Sequence, residues 1–352
     1  MIARSLLDSF REIFLAYARD CHDYSPLYEH LSTAIANDLE VLEFSTFARA
    51  GQPPPNLLFA AVHYLLLRGC DHPLKHYFGS VAPQPRPPQD AWSVFRDFCL
   101  RLRPEITALM SSRLVQTNEV GRSTCLLPAF IHVSRLAGGR PLALIDVGAS
   151  AGLNLLFDRF LIDYARFSWG DPDSPVRLSC ELLGELEPPI VRAGASAGRE
   201  PAVGFRAGID INPIDLMDDD AVLWLRALVW PEQPERAYNL DQAASIARAQ
   251  APLVIKGDVI EVLPSLLESL PSDLTLCLYH SFVLHQLAPE ARQRFDRILS
   301  ALSLRRDVYV VGMAGFMQAS RLTLSTWSGG EKRTVQLAEC MAHGRWLRWL
   351  AD

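Results

Sequence analysis

The sequence predicts an α/β protein, with a largely parallel sheet covered by helices on both faces and an α-helical domain ahead of it. Three observations predict this. The first 137 residues repeat apolar positions at helical spacing between proline-rich connections. After Gly138-Gly-Arg-Pro141, short apolar runs at 142–147, 207–211, 253–256, 274–279 and 308–312 alternate with helical patterns at 218–229, 259–270 and 289–303. At 352 residues, the chain suits two cores better than one.

In the N-terminal domain, Phe10, Ile13, Phe14 and Tyr17 fall on one helical face, and Pro26 opens a second pattern through Leu27, Leu31, Ile35 and Leu39. Gly51-Gln-Pro-Pro-Pro-Asn56 is non-helical, with Asn56 placed to cap the next helix and Gly69 to end it. That helix is apolar almost all round, so it belongs at the centre of its domain. Pro83-Gln-Pro-Arg-Pro-Pro88 is an extended loop, followed by a helix from Asp90. The domains are read as 1–137 and 138–352, with 164–206 as an insertion carrying a small hairpin.

Hydrophobic residues make up 49% and charged residues 21% of the chain, the balance of a soluble globular protein. A formal charge of −6 leaves no electrostatic footprint for nucleic acid. Arg96, Arg101, Arg103, Arg113 and Arg122 read as a solvated helix face. The seven cysteines form no C-x-x-C pair and several sit in apolar runs, which suits reduced thiols in a cytoplasmic protein. Asp8, Arg11 and Glu12 interrupt any signal-peptide core, and no apolar run approaches a membrane span. The expected partner is a small molecule; no metal is expected, and oligomeric state is illegible.

The functional signal lies in Leu142-Ala-Leu-Ile-Asp-Val-Gly148-Ala-Ser-Ala-Gly152-Leu-Asn154. A strand ends in Asp146, passes through a small-residue turn of Gly148, Ala149, Ser150 and Gly152, and enters a helical pattern at Asn154. Small residues let a ligand approach the backbone, and a helix start offers unpaired N–H donors. A carboxylate at Asp146 repels phosphate but attracts a sulfonium or ammonium group. The dinucleotide fingerprint fails because positions 150 and 153 are Ser and Leu, and no phosphate-loop motif occurs. Gly148-Ala-Ser150-Ala-Gly152 does match the nucleophile elbow of serine hydrolases, with Asp210 or Asp258 and His280 or His285 in the right order. Against that reading, the same letters recur at 194–198 away from any strand, and the preceding chain is helical.

A nucleoside needs an acceptor for its ribose hydroxyls at the end of the next strand. Gly208-Ile-Asp210-Ile211-Asn212 supplies one after the insertion, and Asp258-Val259 at the third strand end is placed for the adenine amino group. Each has a plainer reading, as a strand end or a turn. Ligands of open α/β sheets lie beyond the carboxyl ends of strands, so Tyr279, His280 and His285 face the reacting group. The plainer role for His285 is core packing. Gln116, Asn118, Glu119 and Arg122, ahead of the first strand, are candidate contacts to a substrate or to the amino-acid end of a cofactor; helix capping is the alternative.

With those segments quoted, the C-terminal region resembles class I S-adenosylmethionine-dependent methyltransferases. Ile145-Asp-Val-Gly-Ala-Ser-Ala-Gly152 is similar to their first motif, Gly208-Ile-Asp210 to the second, Gly257-Asp258 to the third and the 279–285 segment to the fourth. The resemblance implies a Rossmann-like seven-stranded methyltransferase sheet, S-adenosylmethionine as cofactor and a small-molecule methyl acceptor. It also implies contacts from Asp146, Gly148, Ala149, Ser150, Gly152, Asn154, Asp210, Ile211, Asn212, Asp258, Val259 and His280. For an amine or hydroxyl acceptor, His280, His285 or Glu119 would take the proton. A nucleoside-binding module without turnover and a Ser150 hydrolase are the alternatives. The whole chain also resembles the bacterial "domain of unknown function 2332" family, through Gly51-Gln-Pro-Pro-Pro-Asn-Leu-Leu-Phe-Ala-Ala-Val-His63, Val115-Gln-Thr-Asn-Glu-Val-Gly-Arg122, Leu228-Val-Trp-Pro-Glu-Gln233 and His343-Gly-Arg-Trp346.

Overall fold

A computed structural model describes residues 4–192 and 200–351, so the repeated Gly-Ala-Ser-Ala-Gly pattern at 194–198 lies outside the described residues. The chain divides into two compact units, one of residues 1–117 with 218–238, the other of 118–217 with 239–352.

The first unit is helical. Its main helices are Arg4–Cys21, Pro26–Ile35, Pro54–Leu67, Ala91–Arg101 and Arg103–Ser112, joined by Asp219–Ala227 from later in the chain. The apolar helix Pro54–Leu67 is buried on nearly every side, which explains its lack of a polar face. It starts at Pro54 rather than at an Asn56 cap, because proline at the first helical position loses only an N–H that has no partner there. Phe59 stacks on Tyr28 at 4.1 Å, and Trp230 meets Tyr24 edge-on at 5.2 Å. The sequence places 218–229 among the crossover helices of the sheet. The aromatic side chains of Trp224 and Trp230 bury it in the helical unit instead.

The second unit holds a sheet of nine strands: β1 (Leu142–Val147), β5 (Glu181–Leu183), β6 (Val203–Asp210), β7 (Val254–Lys256), β8 (Thr275–Ser281), β9 (Val308–Gly315), β10 (Ser320–Ser328), β11 (Glu331–Cys340) and β12 (Trp346–Trp349). Their order is β5-β12-β11-β10-β9-β8-β1-β6-β7. Strands β7, β6, β1, β8 and β9 are parallel, while β9 to β12 form an antiparallel meander. The five apolar runs read from the sequence form β1, β6, β7, β8 and β9. The count of seven is corrected to nine because Trp346–Trp349 extends the meander and Glu181–Leu183 pairs parallel to it.

Between β1 and β6 the chain builds a separate small sheet from β2 (Leu161–Asp163), β3 (Ser168–Gly170) and β4 (Arg177–Ser179), in the order β3-β2-β4. The expected hairpin is β2–β3. The insertion does not leave the main sheet as one piece, since β5 returns to its edge.

Two further expectations are corrected. The segment after β1 is a 3-10 helix, Leu153–Arg159, that begins at left-handed Gly152 and breaks helical geometry at Leu156. The division read at 137/138 falls at 117/118 instead. Helix Ser123–Leu136 explains the shift: its Phe130 packs on Tyr279 of β8 at 5.1 Å and on Phe157 at 5.2 Å.

One face of the main sheet packs Ile145, Val147, Ile209 and Leu278 against helices Val259–Ser269 and Pro289–Ser303. The opposite face packs under Ser123–Leu136. Strand connections run outward from β1 through β6 to β7, then resume at β8 on its other side. The strand order therefore reverses between β1 and β8, which is where open α/β sheets hold ligands.

Candidate functional site

At the carboxyl end of β1, Asp146 lies in register with Tyr279 of β8 and Gly208 of β6. Strand alternation puts Asp210, two residues beyond Gly208, on the same face as Asp146 and Tyr279. His280 pairs with Val147 and so belongs to the other face. The structure brings Asp146, Tyr279 and Asp210 together and sets His280 apart.

The Asp146 carboxyl is 4% exposed and lies beside the Tyr279 hydroxyl. Burial pushes its pKa up to about 7, and the like charge of Asp210 adds to the shift; Tyr279 and Arg122 work in the opposite direction. The Tyr279 hydroxyl is buried without a well-formed hydrogen bond, although it stands close enough to Asp146 to ease that group's ionisation. Ser150 Oγ and His280 Nδ1 are likewise buried and unpartnered. Burial lowers the His280 pKa to about 4, with His285 adding to the effect, so the ring is neutral at pH 7.

Two residues near the switch point take left-handed backbone, Ser150 at φ 55° and Phe282 at φ 59°. Such outliers persist only where surrounding contacts hold them. Ser150 is held by its neighbours: its N–H donates to Asp210 Oδ2 at 2.8 Å, and its carbonyl accepts from the Ile214 N–H at 3.2 Å. Phe282 is held by its N–H donating to the Met313 carbonyl at 2.9 Å and by the Arg122 guanidinium 4.9 Å from its ring centre.

The turn after β1 is largely self-satisfied. The N–H groups of Gly148 and Ala149 donate to the Ile209 carbonyl at 2.8 and 3.3 Å, and that of Gly152 donates to Ala149 at 2.7 Å. Leu153 N–H donates to Asn118 Oδ1 at 3.0 Å. The expected row of free donors is therefore corrected; the chain's own acceptors use most of it. At Gly148, φ is +80° and an added Cβ would lie 2.3 Å from Val283 Cγ2, so the close approach that requires glycine is made by the loop after β8. Ala149 packs its methyl where a side chain on Gly208 would stand.

Several candidates have structural work instead. Asp210 Oδ1 accepts the Asn212 N–H at 2.8 Å, so both its oxygens hold backbone. Asp258 is exposed and caps helix Val259–Ser269 through the Ile260 N–H at 2.8 Å, while the Val259 side chain lies in the core. Asn154 is fixed from both sides, Nδ2 donating to the Glu119 carbonyl at 3.2 Å and Oδ1 accepting from Ser123 Oγ at 2.9 Å. Glu119 Oε1 accepts the Gly121 N–H at 3.0 Å. Arg122 donates from Nη1 to Ser281 Oγ at 2.9 Å and from Nε to the Ala342 carbonyl at 3.3 Å. Residues 118–122 thus brace the turn, which is the capping alternative realised. Gln116 belongs to the helical unit. Ile211 is 68% exposed beside Asn212, leaving an apolar surface at the end of β6. His285 is exposed on the short 3-10 turn Leu284–Gln286 rather than packed in the core.

The sequence reading missed Arg206. Its guanidinium pairs with both oxygens of Asp158 at 2.7 and 2.8 Å and with the Leu155 carbonyl at 2.6 Å, anchoring the segment after the turn. An arginine inside an otherwise apolar strand was the available signal.

Among the described residues, no group of three or more His, Cys, Asp or Glu is placed to hold a metal, and no helix is long and apolar enough to cross a membrane. Fold and site define an α/β protein whose sheet carries a buried, partly unsatisfied polar cluster at its switch point. Residues 11–349 match the family described as "Uncharacterized protein conserved in bacteria (DUF2332)", and the chain belongs to that family. No curated protein and no solved structure matches the chain.

Proposed function

We propose that the crevice beyond β1 and β8 binds S-adenosylmethionine and that the protein transfers its methyl group to a small-molecule acceptor. The observation that carries this reading is the buried carboxyl of Asp146 facing the unpartnered Tyr279 hydroxyl at the switch point, with Ser150 Oγ also unpartnered in the adjoining turn. Buried polar groups without partners are uncommon, and a cluster of them beside strand tips calls for a polar ligand. A carboxyl there favours a cation over a phosphate. The exposed Ile211 offers an apolar surface to a planar base.

In this reading Asp146, Tyr279 and Ser150 contact the cofactor. Asp210 closes the turn and so positions the ribose end of the site. The Asp258 carboxylate, engaged as a helix cap, is a weaker candidate than its sequence context suggests. S-Adenosylmethionine supplies an electrophilic methyl group; the chain aligns the acceptor behind it and excludes water, so positioning carries most of the rate. Exposed His285 is the candidate base for an amine or hydroxyl acceptor; His280, on the other face of the sheet, is set apart from the cluster.

The test is mass spectrometry of molecules that co-purify with the full chain, followed by methyl-labelled S-adenosylmethionine with pooled small-molecule acceptors. Adenosyl compounds in the protein fraction and label in a small product support the reading. Their absence, with no label moved, removes it.

A second reading has its own support. Ser150 combines a left-handed backbone with a free hydroxyl in a G-x-S-x-G turn, as a hydrolase nucleophile would. It lacks the imidazole, since Ser150 Oγ has no hydrogen-bond partner among the described residues. Labelling of Ser150 by a fluorophosphonate would favour this reading.

A further inference from the structure

We propose, building on the cofactor reading above, that Asp146 is a proton-exchanging group: protonated in the free protein, it gives up its proton when a cationic ligand enters, so that binding is gated by pH. The argument begins with placement. The carboxyl is 4% exposed at the end of a central strand, with the Tyr279 hydroxyl of the neighbouring strand beside it. A second carboxyl, Asp210, lies on the same face one strand away and accepts two backbone N–H groups. Burial first, and then the neighbouring Asp210, disfavour the charged form of Asp146.

The charged and titratable groups acting on Asp146 come from three elements. Tyr279 faces it from β8 and Asp210 from β6; Arg122 acts on it from the 118–122 segment. Arg206 of β6 reaches the pair through Tyr279. Arg122 is tied to Ser281 and Ala342, which limits how far it can neutralise Asp146. Tyr279 keeps its proton, because burial and the neighbouring carboxyl both oppose its ionisation. Burial and the neighbouring carboxyl raise Asp146 to about 7.

A sulfonium or ammonium brought beside Asp146 stabilises the carboxylate, so the proton leaves to solvent as the ligand binds. A ligand without a positive charge has no such effect. Charge is conserved: the pocket exchanges a proton for a cation. Affinity for the cation therefore rises with pH up to the free-protein pKa and levels above it.

The experiment is isothermal titration of the full chain with S-adenosylmethionine at pH 6, 7 and 8, each in two buffers of different ionisation enthalpy, with adenosine as the uncharged control. The expected Kd at pH 6 is about tenfold weaker than at pH 8, with about half a proton released per site at pH 7. Adenosine should bind with no proton release. Asp146→Asn should remove both the pH dependence and the buffer dependence, with a thermal melt confirming that the variant is folded. Saturable S-adenosylmethionine binding with a constant Kd across this range overturns the proton exchange and leaves the cofactor reading standing. A pH dependence that survives in the folded Asp146→Asn protein also overturns it, by assigning the proton to another group. Absence of binding by both ligands at every pH overturns the two readings together.

Discussion

The Asp210 carboxylate at the tip of β6 accepts the backbone N–H of Ser150 at 2.8 Å, locking the turn after β1 onto the neighbouring strand. Its other oxygen accepts the Asn212 N–H at 2.8 Å. One buried side chain thereby fixes the turn after β1 and the start of the loop after β6.

Replacing Asp210 with alanine should leave both N–H groups unsatisfied and destabilise the protein by about 2 kcal/mol or more. Asp210→Asn, which retains one acceptor oxygen, should lose less. Urea denaturation of the two variants measures the difference, and equal losses would mean that the paired hydrogen bonds are not the cause.

Gly148 and Val283 should behave as a coupled pair. Gly148→Ala alone places a methyl against Val283 and costs about 2–3 kcal/mol from overlap and left-handed strain together. Adding Val283→Ala should recover part of that loss, leaving the backbone strain of about 1–2 kcal/mol. A double-mutant cycle with a coupling energy near zero would show that the loop after β8 does not rest on the turn.

Stability should follow pH through three buried groups. The folded pKa of Asp146 is raised to about 7 by burial, so its contribution to stability is complete at low pH and is lost as pH rises from about 4 through about 7. Asp146→Asn should consequently gain on the native protein over that interval, reaching on the order of 4 kcal/mol above pH 7. His63 and His280 have the reverse sign. Burial lowers both to about 4, so their neutral forms favour the folded state and stability falls as pH drops from about 6.5 toward 4. Thermal melts of the native protein and Asp146→Asn from pH 4 to 8 test both trends.

Ser150→Ala should separate binding from folding. The hydroxyl has no partner to lose, and alanine tolerates φ 55° about as poorly as serine does, so stability should change by less than about 0.5 kcal/mol. Affinity for S-adenosylmethionine should fall several-fold. A large drop in melting temperature would instead assign Ser150 a structural task.

Much of the sheet was legible because its strands are runs of Val, Ile and Leu long enough to show a pattern. β5 and β12 were not: each has three or four residues, and their mutual pairing joins segments far apart in sequence. Asp146 and Asp210 stood out as acids ending apolar runs. The commitment of Asp210 to Ser150 was invisible, since nothing local links positions 60 residues apart. The same holds for Asn118 on Leu153 and for Arg206 on Asp158. Residues 218–229 read as a crossover helix because periodicity reports an apolar face but not which core receives it. The turn itself looked like an open helix start. Left-handed Gly152 and the kink at Leu156 make it a short 3-10 segment whose donors are mostly spent within the chain.

Calorimetric titration of the purified full chain with S-adenosylmethionine, and with its demethylated product, bears most directly on whether this crevice is a cofactor site. The account predicts one saturable site per chain, weakened by Ser150→Ala and by Asp146→Asn in proteins that remain folded. Flat titrations with both compounds, or binding unchanged in the two variants, would contradict it.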